Sequence, residues 1–436
     1  MGAGTAGTTV AADAARKGLQ VCLVDLKPTA LIGLKVCGDA IGKHHFDALK
    51  ISYPSGEEFE REMRGIAVFS PDQKAVCRVQ GKGVSGFVVN RHKFGQRLLK
   101  EALDSGVTLL DETRVINPLI RDGCVVGVET ERTSTQNKIE IPAAITVDAS
   151  GYSGVIRSRL PSSFGIESTV ENRDLIAAYR EIRSGTTWSS DLGEIYLTQH
   201  IARGGYYWIF DKGNGKVNVG LGVQMTGGHP DPRQQLYKYV LSKKTLKDSK
   251  LEQSGGGIVP TRRPLDCLVS NGVMILGDAA CLVNPMHGGG IGPSMLSGKL
   301  AAETAVKALE KRDVSKESLW QYNIKYMQSY GAKQGSLQIF RLLLQNLSDD
   351  ELNFGLNHNL VKEEDVLRIG LTGELDLNIT EKVERALKSV SHLGLLIKLQ
   401  KTAKKMRNVK DLYQKYPSSP NRLDRWKHIL NSIYKS

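Results

Sequence analysis

The residue types best suited to chemistry stand together in one glycine-rich stretch, residues 277–292. It follows the apolar run Val273–Leu276, which predicts a short buried strand, and it leads into a helix predicted over Pro293–Leu309. Asp278 at the strand end can accept hydrogen bonds from polyol hydroxyls, and the glycines let backbone N–H groups approach an anionic or electron-rich ligand. The stretch therefore predicts a ligand site; a strand–helix loop without a ligand is the alternative.

A second glycine motif opens the chain, ahead of a helix predicted over Thr8–Lys17 and a strand predicted over Val21–Val24. The strand ends at Asp25, which lies 21 residues after the second glycine of the motif. A G-x-G-x-x-G turn in this setting typically places a pyrophosphate on the helix N-terminus, while the acid binds a ribose. The three glycines are Gly2, Gly4 and Gly7.

One element that usually accompanies this fingerprint is absent from the sequence. A buried parallel strand ordinarily precedes the first glycine and occupies the centre of the sheet. Here only Met1 precedes Gly2. We therefore expect that the first strand is missing from the chain as written and that an earlier in-frame start encodes it.

Length and composition are typical of a globular enzyme with about three structural units. The 436 residues are 40% hydrophobic, and no stretch approaches the roughly 18 apolar residues of a membrane-spanning helix. Residues 1–20 lack the pattern of a signal peptide. The six cysteines form no C-x-x-C pair, which indicates a reducing, cytoplasmic location. Only one pair of histidines is adjacent, so we expect no metal site.

The net charge of +13 is concentrated near the C-terminal end, where residues 398–436 hold eleven Lys or Arg against two acids. Apolar residues recur here every three or four positions, which predicts a basic amphipathic helix. Such a helix either docks on the body of the protein or makes peripheral contact with an anionic membrane. Nucleic acid is not an expected partner, because no recognised binding module accompanies the charge. The apolar positions are Leu396, Leu399, Ala403, Met406, Val409 and Tyr413.

The order of predicted elements divides the chain into three regions. Residues 1–60, 85–165 and 255–310 are expected to form a discontinuous α/β nucleotide-binding domain. Residues 61–84 and 166–254 are expected to form a β-rich substrate domain, and residues 311–436 a helical region. Outside the glycine motifs, the predicted elements are a helix over Arg91–Ser105 and strands over Ile66–Phe69, Gly86–Val89, Val107–Leu110, Cys124–Glu131, Lys138–Val147, Leu175–Ile182, Gly193–Leu197, Tyr206–Phe210 and Lys216–Val223.

With both glycine motifs in place, the chain resembles flavoproteins of the glutathione-reductase type that have a p-hydroxybenzoate-hydroxylase-like layout. More narrowly, it resembles the geranylgeranyl reductase family, and within it the archaeal branch that acts on digeranylgeranyl glycerophospholipids. The resemblance covers about residues 1–310, and it departs from the family where Asp211 stands in place of a usual proline. The segments that carry it are Gly2–Gly7, Lys35–Asp39, Asn90–Arg91, Tyr206–Phe210, Asn218–Gly222 and Gly277–Ile291.

The resemblance implies FAD in a Rossmann-like domain. Ala6 and Gly7 would contact the pyrophosphate and Asp25 the adenosine ribose, beside the other glycines of the motif. The remaining implied contacts are Cys37, Gly38 and Ala40 beside the cofactor, Arg91 at a helix start, Val115 near the adenine, and Asp278, Gly290 and Ile291 along the ribityl chain and flavin ring. From residue type alone, Arg91 fits a phosphate partner or a surface charge, and Val115 fits a plain core position.

The implied reaction is FAD-dependent saturation of the double bonds in geranylgeranyl chains of archaeal-type ether phospholipids. Ferredoxin, F420 or NAD(P)H would act as the external electron donor. An isolated alkene has no carbonyl to polarise it, so the protein must place it closely and supply a proton. The candidate proton donors are Cys37 and His45; a space-filling cysteine and a helix-capping histidine are the ordinary alternatives.

The aromatic residues Tyr206, Trp208 and Phe210 are expected to line an apolar tunnel for the prenyl chains. An ordinary sheet core explains the same pattern equally well. The competing function is that of an FAD-dependent monooxygenase acting on a small hydrophobic substrate, since such enzymes share the fold and most of the cofactor glycines.

Overall fold

Strands dominate the middle of the chain and helices dominate its last third. The computed structural model describes residues 1–81, 83–376 and 393–435. Over these residues the α-helices are α1 (Thr5–Arg16), α2 (Lys43–Leu49), α3 (Arg91–Asp104), α4 (Pro232–Gln235), α5 (Ile291–Glu310), α6 (Lys316–Tyr326), α7 (Ala332–Gln345), α8 (Asp349–Asn357), α9 (Glu363–Thr372), α10 (Leu393–Gln414) and α11 (Leu423–Lys435).

The strands belong to five sheets, of which the largest has seven strands. In chain order they are β1 (Cys22–Val24), β2 (Ala40–Gly42), β3 (Phe59–Met63), β4 (Gly65–Phe69), β5 (Val76–Gln80), β6 (Gly86–Val89), β7 (Thr108–Leu110), β8 (Thr113–Arg121), β9 (Cys124–Arg132), β10 (Lys138–Pro142), β11 (Thr146–Asp148), β12 (Leu175–Ser184), β13 (Leu192–Tyr196), β14 (Tyr206–Gly213), β15 (Lys216–Gln224), β16 (Lys250–Pro260), β17 (Val269–Ser270) and β18 (Val273–Ile275).

Two fragments of parallel sheet flank the first residues of the chain. β1 pairs in parallel with β7, and β11 pairs in parallel with β18. The N–H of Gly2 donates to the carbonyl of Val24 over 2.7 Å, and the N–H of Ala149 donates to the carbonyl of Met1 over 3.0 Å. The backbone of residues 1 and 2 therefore joins the two fragments, and the predicted α/β class is confirmed.

Helices α1 and α5, which follow the two glycine motifs, pack closely against each other. Gly298 permits this approach, because a Cβ at that position would lie 2.9 Å from Cβ of Thr9 and 3.0 Å from the carbonyl oxygen of Ala6. Both motifs are thus brought to neighbouring helix N-termini, which is what a shared ligand requires.

The seven-stranded sheet forms the centre of the strand-rich part, in the order β16-β12-β15-β14-β13-β4-β5. Side chains alternate along β15, so Val217, Val219 and Leu221 face an apolar cluster, while Asn218 and Gly220 face the opposite way. That opposite face carries the polar contacts to the Lys35–Asp39 segment.

Two sequence predictions need correction in this region. The single strand predicted over Lys138–Val147 is two strands, because β10 pairs with β9 whereas β11 pairs with β18 in another sheet. Pro142 ends the first of them, since a proline cannot donate a ladder hydrogen bond. The proposed domain limit at residue 255 falls inside β16, which is an edge strand of the seven-stranded sheet.

The basic amphipathic helix was predicted correctly, and its apolar stripe is buried inside the protein. Leu399, Met406, Val409 and Tyr413 on α10 are all at most 4% exposed. Gly335 of α7 makes room for one of them, since a Cβ there would lie 2.6 Å from the Tyr413 ring. The helix therefore docks on the body through this stripe.

None of the helices in the described part of the chain is long and apolar enough to span a bilayer.

Candidate active site

The turn ahead of α1 is closed on its protein side and open on the other. A Cβ on Gly7 would lie 1.8 Å from the carbonyl oxygen of Gly2, so only glycine allows the turn to pack this tightly. At Gly4 no described atom lies within 4 Å of an added Cβ. Gly4 caps α1 without a side-chain hydrogen bond, which leaves the first-turn N–H groups, including that of Ala6, facing the open side.

Arg91 brings a cation to this helix terminus. Its side chain is only 6% exposed, and Nη2 donates to Oγ1 of Thr5 over 2.7 Å. Its Nε and Nη1 atoms are buried and have no hydrogen-bond partner among the described residues. This buried guanidinium beside the N-terminus of α1 fits the pyrophosphate of FAD. The phosphate oxygens would accept hydrogen bonds from these two Arg91 nitrogens and from the N–H groups of the first helical turn.

Asp25 is oriented at the end of β1 by two backbone donors. The N–H of Ala3 donates to Oδ2 over 2.6 Å, and the N–H of Lys27 donates to Oδ1 over 2.8 Å. A carboxylate has further lone pairs, so Asp25 can still accept hydrogen bonds from ribose hydroxyls. Its place fits the predicted adenosine end.

The second glycine motif places Asp278 beside the start of α5. A Cβ on Gly290 would lie 3.1 Å from Oδ1 of Asp278, and Ile291 is the first residue of the helix. Nζ of Lys35 pairs with Oδ2 over 2.9 Å, and this carboxylate raises the pKa of Lys35. Sequence reasoning assigned no role to Lys35, although the residue begins one of the segments of the resemblance.

The loop that carries Cys37 is held from the seven-stranded sheet. Nδ2 of Asn218 donates to the Cys37 carbonyl over 2.8 Å, and Nε of Arg180 donates to the same oxygen over 3.2 Å. A Cβ on Gly38 would lie 3.2 Å from the Phe210 ring. The loop therefore lies directly on the aromatic face of the sheet.

A buried polar network anchors this loop from below. Nζ of Lys212 donates to Oδ2 of Asp39 over 2.9 Å, and Nδ2 of Asn218 donates to the same oxygen over 2.9 Å. All three residues are at most 7% exposed. Asp39 has a backbone φ of 63°, a left-handed conformation that the network stabilises. Sequence reasoning missed Lys212 and Asn218; a polar residue alternating with glycines in an otherwise apolar strand was the available signal.

Three aromatic side chains form a row on the same face. The ring centroids of Tyr206 and Trp208 are 6.0 Å apart, and those of Trp208 and Phe210 are 6.3 Å apart. Nε1 of Trp208 donates to Oδ1 of Asn218, so the network that holds the Cys37 loop also orients this ring. A Cβ on Gly220 would lie 2.2 Å from the Trp208 ring, which explains why a glycine stands there.

Asp211, which departs from the family pattern, is buried and fully engaged. Its Oδ2 accepts from the N–H of Ser190 over 3.0 Å and pairs with Arg61 over 3.2 Å. Its Oδ1 accepts from the N–H of Gly213. Strand β14 continues through this position to Gly213, and the aromatic row lies on the same strand before it.

The thiol of Cys37 and the imidazole of His45 differ in the protons they hold. Burial raises the pKa of the Cys37 thiol, and the neighbouring Asp39 adds to the rise. Burial lowers the pKa of His45 to about 2, and His44 and Lys333 contribute to the fall. Near neutral pH Cys37 therefore keeps its proton, whereas His45 is neutral and has no imidazolium proton to give.

Three further predicted residues have clear positions. The His45 ring packs on Gly292, where a Cβ would lie 2.2 Å from the ring. Ala40 opens β2 directly after the buried network. Val115 lies in the apolar core with 7% exposure, so its side chain is an ordinary core residue, and its contact with the adenine stays a prediction.

The site and the fold together define an FAD-dependent oxidoreductase. Residues 1–200 match the profile of the FAD-dependent oxidoreductase family, and residues 174–259 match that of the geranylgeranyl reductase catalytic domain. The folds of two solved proteins agree. A geranylgeranyl bacteriochlorophyll reductase-like protein from Thermoplasma acidophilum superposes with a TM-score of 0.77 at 23% identity, covering 94% of this chain and 97% of that one. A flavin-dependent brominase superposes with a TM-score of 0.65 at 16% identity, covering 89% and 97%.

The sequence relatives identify the family. The chain is 41% identical to the digeranylgeranylglycerophospholipid reductase of Sulfolobus acidocaldarius, over 99% of this chain and 96% of that protein. It is 31% identical to the digeranylgeranylglycerophospholipid reductase of Methanoculleus marisnigri, over 76% of this chain and 81% of that protein. The chain belongs to the geranylgeranyl reductase family.

We expect Arg91→Met to weaken FAD binding without destabilising the FAD-free protein. The substitution removes a buried, incompletely paired charge, but it deprives the pyrophosphate of charge-assisted hydrogen bonds worth about 1.5–3 kcal/mol, roughly a 10- to 150-fold loss in affinity. Flavin fluorescence titration measures the affinity, and thermal unfolding of the FAD-free protein measures stability.

Arg97→Met on the same helix is the matched control. Arg97 pairs with Glu58 over 2.9 Å and with Glu101 over 3.2 Å, so its loss should lower stability and leave the intrinsic FAD affinity unchanged. Unchanged FAD affinity in Arg91→Met would contradict the assignment of Arg91 to the pyrophosphate.

Proposed function

We propose that this protein is an FAD-dependent reductase that saturates the double bonds of geranylgeranyl chains on archaeal-type ether glycerophospholipids. The observation that carries the proposal is the position of the Cys37 loop, which lies between the elements that fit FAD and the aromatic row of the sheet. The names and close similarity of the Sulfolobus and Methanoculleus relatives support the same substrate class.

The proposed division of labour follows from the chemistry of an isolated alkene. Reduced FAD, when bound, supplies a hydride to one carbon of the double bond. Tyr206, Trp208 and Phe210 hold the apolar chain, because aromatic faces bind it without offering competing polar groups. Cys37 delivers the proton to the other carbon and recovers one from water, so two hydrogens are added for each double bond.

The reducing equivalents come from an external donor, for which we propose ferredoxin, F420 or NAD(P)H. Each of the three donors is mixed anaerobically with the FAD-bound protein. Loss of the absorbance of the oxidised flavin identifies the donor that reduces it.

Mass spectrometry of lipid products tests the proposed function. Anaerobic protein with chemically reduced FAD and digeranylgeranylglyceryl phosphate should yield products that have gained two hydrogens per double bond.

Stopped-flow mixing of the reduced protein with oxygen tests the competing monooxygenase function. Accumulation of a flavin hydroperoxide, together with unaltered prenyl chains, would overturn the proposal in favour of a hydroxylase.

The raised pKa of Cys37 predicts the pH dependence of reduction. A proton donor must be protonated, so the rate at which the lipid reoxidises the reduced flavin should be level through neutral pH. It should then fall as the pH rises through a value above 9.0, the ordinary pKa of a thiol. Single-turnover flavin reoxidation by the lipid, under argon, measures this profile.

Cys37→Ala is the informative variant for that prediction. It should retain FAD, lower the single-turnover rate by about 100-fold or more, and remove the alkaline limb of the profile. If the variant keeps both the rate and the alkaline limb, the proton comes from elsewhere.

We further propose that the protein reaches its lipid substrate by peripheral contact with an anionic membrane. The outer face of α10 supports this, because Lys401, Lys404 and Arg407 are exposed while the apolar stripe behind them is buried. The contact would therefore be electrostatic, with no insertion of this helix into the bilayer.

Replacing Lys401, Lys404 and Arg407 together by Gln should weaken co-sedimentation with vesicles that contain phosphatidylglycerol. At about 1 kcal/mol per basic residue, the loss is about 3 kcal/mol, or roughly 100-fold. The matched control removes the same charge at three other exposed lysines, Lys244, Lys247 and Lys250. Equal effects of the two triple variants would show that only net charge matters and that α10 is not the contact surface.

A further inference from the structure

A cavity of about 440 Å³ lies next to the aromatic site, between α2, α5, α7, α9 and α10. Leu49, Leu296 and Leu371 contribute apolar walls, and Lys333 enters from α7. The cavity adjoins the predicted flavin end of the site, because His45, which also lines it, packs on Gly292 in the first turn of α5.

Lys333 is the unusual group in this cavity. Its Nζ lies 5.3 Å from the centroid of the Tyr330 ring, and it has no carboxylate partner and no hydrogen-bond acceptor among the described residues. Burial lowers the pKa of Lys333 to about 8, and Lys410 contributes to the fall. Lys410 also lines the cavity, but its charge is balanced by Glu374, whose Oε1 lies 2.5 Å from Nζ of Lys410.

The other titratable residues on the walls do not offset this charge. Burial is the main cause that lowers the pKa values of His44 and His45, so both are neutral near pH 7 and neither offsets the charge of Lys333. Nδ1 of His44 is buried and has no hydrogen-bond partner among the described residues. Within the described part of the chain, the cavity thus holds a lysine without a carboxylate partner and an imidazole nitrogen without a hydrogen-bond partner, both beside apolar walls. A bound anion would offset the cost of burying the lysine charge there.

The loop that holds Asn284 and His287 contacts both the aromatic row and the cavity wall. Tyr206 donates from its hydroxyl to the carbonyl of His287 over 2.7 Å, and Nδ2 of Asn284 in the same loop donates to the Tyr330 hydroxyl over 3.4 Å. A ligand with a long chain can therefore have its polar end in the cavity and its chain on the aromatic face.

We propose that this cavity binds the phosphate headgroup of the prenyl glycerophospholipid, with Lys333 as the direct ion-pair partner. The inference rests on the proposed function, and it assigns the end of the substrate that does not react. An anionic phosphate satisfies the lysine, and the glycerol and first chain carbons lie against the leucines.

Lys333→Met in the full-length FAD-bound protein tests the assignment. With digeranylgeranylglyceryl phosphate, KM should rise about 10-fold or more while kcat changes little, since the lost contact is far from the reacting carbons. With digeranylgeranylglycerol, which has the same chains and no phosphate, KM should not change. Lys333→Arg, which keeps the charge, should restore most of the phosphate preference.

Lys307→Met is the matched control, because Lys307 is an exposed lysine on α5, another helix that borders the cavity. It should leave the preference for the phosphorylated lipid intact when the lipids are presented in neutral detergent micelles. An equal rise in KM for both lipids in Lys333→Met would assign Lys333 to apolar packing and overturn the headgroup role.

A second measurement needs no variant. Acetylation of Lys333 in the wild-type protein, followed by peptide mass spectrometry, should be slowed by diphytanylglyceryl phosphate, a saturated lipid that cannot be reduced. Equal protection by inorganic phosphate at the same concentration would make this a free-phosphate site and overturn the lipid assignment; protection by neither overturns it as well. This binding requires no reduction. If the protein reduces no prenyl lipid but the saturated lipid still protects Lys333 specifically, the proposed function is wrong and the headgroup site stands.

Discussion

The structure depends on a buried ionic contact between the loop that carries Cys37 and the seven-stranded sheet. Asp39 and Lys212 are 173 residues apart in the chain, and both are buried. Lys212 pairs with both Asp39 and Glu60, and Asn218 donates to the same Asp39 oxygen as Lys212 does. Moving the loop off the sheet would take the buried Asp39 carboxylate away from Lys212 and Asn218, which favours one place for the loop. Asn218 extends the contact to the Cys37 carbonyl and to the Trp208 ring. The thiol and the aromatic row therefore keep one fixed relation, which the proposed binding of an alkene between them would need.

The nucleotide end is organised before any ligand arrives. Asp25 is oriented by backbone donors, and Thr5 holds Arg91 at the N-terminus of α1. Two nitrogens of Arg91 have no hydrogen-bond partner in the part of the chain that the structure describes. Holding a buried guanidinium in this state costs stability, and a pyrophosphate bound there would remove that cost. Cofactor binding and folding stability are consequently linked, because a ligand that binds only the folded state stabilises it.

The C-terminal helix α10 buries its apolar face within the protein. The apolar stripe of α10 packs on α7, while Lys401, Lys404 and Arg407 of the same helix are exposed. One helix therefore closes the core and leaves a charged surface. The same packing encloses the cavity that holds Lys333. Among the residues that the structure describes, Lys333 has no carboxylate partner, and placing its charge there has a cost that packing alone does not explain.

The sequence by itself determined the local features. Glycine spacing, the acids after β1 and β18, and the periodicity of α1, α3 and α5 follow from turn chemistry and side-chain period, which act over a few residues. The fold class and the cofactor followed from these features and from the family resemblance. Only the tertiary structure decided that Asn218 and Lys212 support Cys37, that His45 is neutral, that residues 138–147 divide between two sheets, and that the apolar stripe of α10 is buried. Long-range pairing and desolvation depend on which residues, distant in sequence, pack together in the interior. The spacing of residues along the chain does not show which ones these are.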